Sequence, residues 1–342
     1  MTPEKVPNME TFARLSGVSR PTVSKYFHDP TSVRDSTRAR IESALERYDF
    51  RPNVYAMNQN RRLTKIVGIA VPFLADPFFA ELARNIEARV IEAGFSPLLF
   101  SAHGDPAIEA EIFDNLRSLK PAGVLLAPLG RTSDRDAVER FCREVPTVLF
   151  DANIEGLGAT FVGSDNFQSV PLMVDYLCRT GSPPCFFEMP PVNPNARKRR
   201  TAYEEAMTRL GHEPRVVRVE GSGWGFEEIG YSGGLRAFEE RRFETDTVLC
   251  SNDRLAIGLL AAAYEKGRRV GRGSGAALRV AGHDDHPFAR FTTPSLTTVA
   301  QDYTAIAKRS VEALVEAVES GGAPGERAEV SYPGRLIMRA SA

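Results

Sequence analysis

Eight short apolar runs punctuate residues 66 to 281, and they constrain the fold more than any other feature of the chain. They are Ile66–Val71, Pro97–Phe100, Gly123–Ala127 and Thr147–Phe150, then Pro184–Phe187, Arg215–Val219, Thr247–Cys250 and Leu278–Ala281. Runs of this length that are apolar nearly throughout suit strands buried on both faces. The segments between them, such as 78–93 and 106–119, carry apolar residues at helical spacing. Strand and helix alternate, so the expected body is α/β, with parallel sheets covered by helices. The runs fall into two sets of four, which predicts two doubly wound lobes. A ligand is expected in the crevice at the carboxyl ends of their strands.

Residues 8–28 follow a different pattern. Asn8 is placed to cap a first helix that is expected to bury Phe12, Ala13 and Leu15, and Gly17 supplies a tight turn. Ser19 is a second cap. Pro21 falls in the first turn of the next helix, where its missing N–H removes no intrahelical bond. Val23, Tyr26 and Phe27 then face inward, which leaves Arg20, Thr22, Ser24 and Lys25 outward. An exposed helix start with basic and hydroxyl side chains suits entry into a DNA major groove. A third amphipathic stretch, Val33–Tyr48, follows Pro30.

Gly17-Val-Ser19-x-x-Thr22-Val-Ser24, with Thr37-Arg38 and Arg51-Pro52-Asn53 downstream, resembles the LacI/GalR family of bacterial transcription regulators. The alternating body is similar to the periplasmic sugar-binding fold attached to such heads, so the resemblance covers nearly the whole chain. It implies a small all-α helix-turn-helix head at 1–52 and a hinge at 53–64. It also implies a two-lobed effector-binding and dimerisation body at 65–342. The N-lobe is expected over about 65–163 and 293–322, and the C-lobe over about 164–292 and 323–342. By the resemblance, Asn8, Ser19, Arg20, Pro21, Thr22, Ser24, Lys25 and His28 contact DNA, joined by Asn53, Ala56 and Gln59 of the hinge. Lys25 stands where arginine is commoner, so a guanine contact would lack the bidentate fork.

Charge supports this division. Residues 1–65 hold twelve Lys or Arg against seven Asp or Glu, net +5, so the remainder carries −6 of the total −1. A basic head gains affinity for phosphates through counterion release, and an acidic body limits nonspecific adhesion. No apolar stretch approaches the roughly 20 residues needed to span a bilayer, and no basic-then-apolar leader opens the chain, so a cytoplasmic protein is expected. Cys142, Cys178, Cys185 and Cys250 lack metal-ligand spacing and read as reduced thiols.

The resemblance places several strand-end residues beside the effector. Asp76, Phe78 and Phe79 follow the first run, where an aromatic face would pack on a sugar ring, although Phe79 reads equally well as core. Asp151 follows the fourth run. Arg199 aligns with an effector-binding arginine, its alternative being a solvated basic run over 197–200, and Asn193 and Asn195 lie just upstream. A guanidinium fork suits vicinal hydroxyls or a carboxylate. Asn252 and Asp284 follow the seventh and eighth runs and offer donors and acceptors to a polyhydroxylated ligand. Asp253 is expected to cap the next helix. Trp224, the one tryptophan, is a candidate stacking wall, and Gln301 and Tyr303 sit at the last crossover between lobes.

The histidines and acids over 283–286 do not have metal spacing, so no metal is expected. Nor is a cofactor, because the glycine-rich stretches at 221–225 and 271–275 lack the context of a dinucleotide site and no Walker motif occurs. No nucleophile stands beside a positioned histidine, which argues against an enzyme. The expected partners are double-stranded operator DNA, a small sugar-like effector and a second copy of the chain. The hinge departs from the family, where a leucine usually wedges into the minor groove. Gln59 occupies that position here, so weaker central kinking of DNA is expected.

Overall fold

The computed structural model describes residues 4–52, 64–273, 275–321 and 327–342. Asn53, Ala56 and Gln59 of the expected hinge lie outside the described residues. The chain divides into two compact units, residues 1–64 and 65–342.

In the first unit, strand β1 (Glu4–Lys5) precedes helices α1 (Met9–Ser16), α2 (Arg20–His28) and α3 (Asp35–Arg47), and β2 (Tyr48–Asp49) pairs with β1 in parallel. The sequence signals act locally as expected. The Asn8 side chain accepts from the Thr11 N–H (2.9 Å), and Gly17 adopts φ +63°, the left-handed conformation that ends α1. Phe12, Val23 and Ile41, one from each helix, are fully buried, and Phe12 stacks on Phe50 at 4.5 Å. One expectation fails. Leu15 is 40% exposed and Ser16 takes the inward position, because α1 turns its buried stripe through Phe12, Ala13 and Ser16.

The body contains β3 (Ile66–Val71), α4 (Pro77–Glu92), β4 (Ser96–Ser101), α5 (Pro106–Leu119), β5 (Gly123–Leu126), α6 (Arg135–Glu144), β6 (Thr147–Phe150) and β7 (Thr160–Ser164). It continues through α7 (Asn166–Thr180), β8 (Cys185–Glu188), α8 (Pro194–Arg209), β9 (Val216–Arg218), α9 (Phe226–Glu239), β10 (Thr247–Cys250), α10 (Asp253–Glu265) and β11 (Arg279–Ala281). The last elements are β12 (Thr298–Ala300), α11 (Tyr303–Glu319), β13 (Ala328–Tyr332) and β14 (Arg335–Ile337).

The first lobe is a parallel sheet in the order β13-β7-β6-β5-β3-β4, and the second a parallel sheet in the order β11-β10-β8-β9. Each order reverses once, between β3 and β5 in the first lobe and between β8 and β10 in the second. Chains leaving those strands in opposite directions leave a crevice at their carboxyl ends. All eight expected strands form, with ends shifted by at most two residues.

The strands that sequence pattern does not mark are β7, β12, β13 and β14 of the body and the short pair β1 and β2 in the head, which was expected to be all-α. Two correct the lobe boundaries. Residues 328–332 were expected in the C-lobe, yet β13 pairs in parallel with β7 along the edge of the first sheet. Its outer residues are exposed, so it lacks the continuous apolar run of a central strand. Residues 298–300 were expected in the N-lobe, yet β12 pairs antiparallel with β14 and single bridges tie Thr297 and Ala300 to Ala281 and Asp284, so this stretch continues the second lobe.

Candidate functional site

The first candidate surface lies on α2. Ser19 caps this helix, its hydroxyl 2.8 Å from that of Thr22 and 3.4 Å from the Thr22 N–H, and Pro21 lies in the first turn. Arg20, Pro21 and Lys25 are exposed, while Thr22 and Ser24 are half-buried. His28 forms the last residue of the helix. Arg40, on α3, donates to the carbonyl of Gly17 (2.5 Å), and so braces the turn that sets the angle between α1 and α2. Sequence reading did not single out Arg40, since nothing local marks a partner 23 positions away.

The second candidate lies between the lobes. After β3, Asp76 caps α4 and Phe78 and Phe79 lie in its first turn, and Asp151 follows β6. Asn193, Asn195 and Arg199 open α8, Trp224 precedes α9, and Asn252 and Asp284 follow β10 and β11. These ten residues, with Met189 and Phe226, line one small cavity of about 30 Å³. That is room for a water molecule or two, so a larger ligand requires the lobes to part.

The aromatic wall is continuous. Phe78 meets Phe79 edge-on at 4.9 Å, and Trp224 reaches across to Phe79 (5.9 Å) and Phe73 (6.4 Å). Gly104, at φ +76°, sits so close to the indole that a Cβ there would collide with it. Gln301 and Tyr303 stand behind this wall and do not line the cavity. Gln301 donates to Asp284 Oδ1 (2.7 Å), and the Tyr303 hydroxyl donates to the Asp284 carbonyl (2.8 Å) while its ring packs on Phe78.

A chain of polar contacts joins the lobes. Asn195 Nδ2 donates to Asp151 Oδ1 (3.2 Å), and Asn195 Oδ1 accepts from Asn166 (3.2 Å). Asn166 in turn accepts from Arg199 Nε (3.0 Å). Arg199 also donates to the Ser251 carbonyl and to Asp284 Oδ1, both at 2.7 Å, so it is a buried, fully engaged guanidinium rather than part of a solvated run. Asp284 has φ +120°, a conformation that costs a non-glycine residue on the order of 1–3 kcal/mol and is tolerated here because its side chain and backbone are both pinned. Burial raises the Asp284 carboxyl, but Arg199 and His283 overcome it and hold the group at about 2. Burial and the nearby Arg199 charge depress His283 to about 4, so the ring is neutral. A carboxylate only accepts, so the proton sits on His283 Nδ1, which donates to Asp284 (3.0 Å), and Nε2 accepts from Ser169 (2.8 Å).

Two residues are used differently from expectation. Asn252, not Asp253, caps α10, its Oδ1 accepting from the Leu255 N–H (2.8 Å). Asp253 is buried beneath, where its carboxylate accepts from the Thr298 hydroxyl (2.6 Å) and the His286 N–H (2.7 Å), and burial pushes it up to about 8. Asn193 spends its side-chain oxygen likewise, as the cap of α8.

Sequence reading also missed Arg254. From the start of α10 it crosses the cleft to Asp76 Oδ2 (2.9 Å) and pairs in bidentate fashion with Glu227. Its guanidinium lies 5.1 Å from the centre of the Phe226 ring. Burial raises Asp76 to about 6, even against the pull of Arg254.

Among the described residues no group of three His, Cys, Asp or Glu gathers in a way that would hold a metal, and no helix is long and apolar enough to cross a membrane. A larger cavity, about 330 Å³, lies at the opposite end of the second sheet, beside Phe238, Arg241 and Arg268. It holds no residue of the polar chain that joins the lobes.

Comparison with known proteins finds relatives for both units of the chain. Residues 8–53 match the lacI family of bacterial regulatory proteins, and residues 180–342 match the periplasmic binding protein-like domain. The chain is 25% identical to the NTD biosynthesis operon regulator NtdR of Bacillus subtilis, covering 98% of this chain and 100% of that one. It is 27% identical to the ribose operon repressor of Escherichia coli, over 91% and 92% of the two chains. In structure it is similar to the lac repressor dimer bound to operator and the anti-inducer ONPF, with a TM-score of 0.84, 24% identity and 98% of each chain covered. A head of this sequence on a body of this fold is a regulator's architecture, and the chain belongs to the lacI family of DNA-binding transcriptional regulators.

Proposed function

We propose that the protein represses genes of carbohydrate transport and catabolism, binding a pseudo-palindromic operator as a dimer and responding to a sugar or sugar derivative held between the lobes. The observation that carries this reading is the convergence of Asp76, Asp151, Arg199, Asn252, Asp284 and an aromatic wall on one cavity, drawn from strand ends of both lobes. Carboxylates, a guanidinium and an amide suit a dense set of hydroxyls, and aromatic faces suit the C–H face of a sugar ring.

The dimer is supported by exposed apolar side chains. Ile91 (57% exposed), Leu98 and Leu99 sit on α4 and the edge strand β4, and Tyr264, Phe288 and Phe291 are exposed on the second lobe. Single exposed apolar residues are ordinary, but an edge strand left apolar invites pairing or cover. In the proposed mechanism a ligand shifts the balance between open and closed lobes, and the hinges pass this on as a change in operator affinity of roughly 1–3 kcal/mol. Binding takes place in the cytoplasm, where operator DNA is found.

The test is to incubate the purified protein with sheared genomic DNA from its source and sequence the retained fragments. A shared palindrome beside transport or catabolic genes is expected. Retention without a common sequence would remove the operator from this reading. An operator whose occupancy no sugar alters would remove the effector.

A further inference from the structure

We propose that the molecule bound in the cleft carries a protonated amine, as an amino sugar does, and that its ammonium group pairs with Asp151. The inference rests on the reading of the cleft as the effector site and names the class of effector.

Asp151 lines the cavity, is 7% exposed and lies in the left-handed conformation at φ +59°. Among the described residues its carboxylate receives one donor, the Asn195 amide on Oδ1 at 3.2 Å, and it belongs to no ion pair. Both guanidiniums of the cleft are committed elsewhere. Arg199 is held by Asp284, the Ser251 carbonyl and Asn166, and Arg254 by Asp76 and Glu227. Of the four carboxylates Asp76, Glu227, Asp284 and Asp151, the first two share Arg254 and the third pairs with Arg199, which leaves Asp151 as the one without an ion pair. Lys198, the next cation along α8, places its ammonium over the Phe161 ring at 5.5 Å.

The choice between a hydroxyl and an ammonium follows from the cost of burying charge. A hydroxyl satisfies the hydrogen-bonding capacity of a carboxylate but leaves its charge uncompensated in a dry site. An ammonium supplies both, and Phe78 and Trp224 line the same cavity, where an aromatic ring attracts a cation. Without such a partner the proton takes its place, since burial pushes Asp151 up to about 7. Binding of an amine near that pH then releases a proton from Asp151.

The test uses the full chain and a small-molecule extract of the source cells, divided on a cation-exchange resin at neutral pH. Each fraction is assayed for a rise in melting temperature and for a change in operator occupancy. The expected activity lies in the retained fraction and is lost when primary amines are acetylated in aqueous bicarbonate. Activity confined to the unretained fraction overturns the amine and leaves the cleft an effector site. Activity in neither fraction overturns the effector reading itself, and this inference with it. Asp151→Asn separates the charge from the fold, because asparagine tolerates the left-handed conformation and keeps the shape. It is expected to weaken the response to the retained fraction by about 30-fold or more. A full response in that variant overturns the pairing.

Discussion

At the scale of single residues, Arg254 shows how much of the cleft is electrostatic. It is the one described ion-pair link from the second lobe to Asp76 on the first, and it is nearly buried at both ends, with each side chain 7% exposed. Removing one partner of a buried pair strands the other charge, so Arg254→Gln is expected to cost about 3–5 kcal/mol at pH 7.5. Asp76 sets the pH dependence. Its carboxyl is raised above the usual range in the native state, so the charged form is disfavoured there, and losing Arg254 raises it further. A proton relieves the stranded charge, so the loss should shrink as pH falls to about 5. Denaturant titrations at the two pH values check this, and an equal loss at both would assign Arg254 a packing role alone. Asp76→Asn, which keeps the helix cap accepted from the Phe78 N–H, should be milder than Arg254→Gln, since burial already penalises the Asp76 charge.

At the scale of elements, α2 is the helix we propose enters the DNA major groove. Its start is held by Ser19, and losing such a cap typically costs about 0.5–2 kcal/mol. Ser19→Ala is therefore expected to lower the melting temperature of the head by a few degrees and to weaken operator binding, while the melting of the body stays unchanged. Two-transition calorimetry reads the units separately. Lys25 is exposed on the same helix and is expected to read a base in each half-site. Lys25→Ala should lower the discrimination at one base position by about 1–3 kcal/mol. A uniform loss across all sequences, with a shallower salt dependence, would place Lys25 on a phosphate instead. The end of α1 is a contrasting case, where Leu15 was expected inside and is exposed. Helical periodicity identifies a stripe but leaves its edges open, and tertiary packing of Phe12 against Phe50 decided which residue lay on the edge.

At the scale of the whole molecule, the proposed assembly depends on the apolar surface of α4 and β4. Leu99 is 45% exposed on that edge strand. Leu99→Glu would place a charge in a dimer interface and should shift the protein toward monomers and lower operator affinity at least about tenfold, with the fold of each unit intact. Light scattering and DNA binding measured together check this. A dimer of undiminished stability would move the interface elsewhere, with Tyr264, Phe288 and Phe291 the next surface to alter.

Much of this was legible in the sequence because it is written in near neighbours. Asn8, Gly17 and Ser19 act within one helical turn, and the eight strands follow from the apolar runs themselves. The two doubly wound sheets put ten of the twelve expected cleft residues around one cavity, because a strand end in such a fold points into the crevice whatever the rest of the chain does. Tertiary structure decided what depends on distant partners. Arg254 finds Asp76 across 178 positions, Asn252 rather than Asp253 caps α10, and β13 returns to the first lobe to complete its edge. The charge states of Asp76, Asp151 and Asp284 diverge from one chemical identity to about 6, 7 and 2, because desolvation and the nearest cation differ at each. Propensity and periodicity are local properties of a chain, whereas burial and charge pairing arise only once remote segments have packed together.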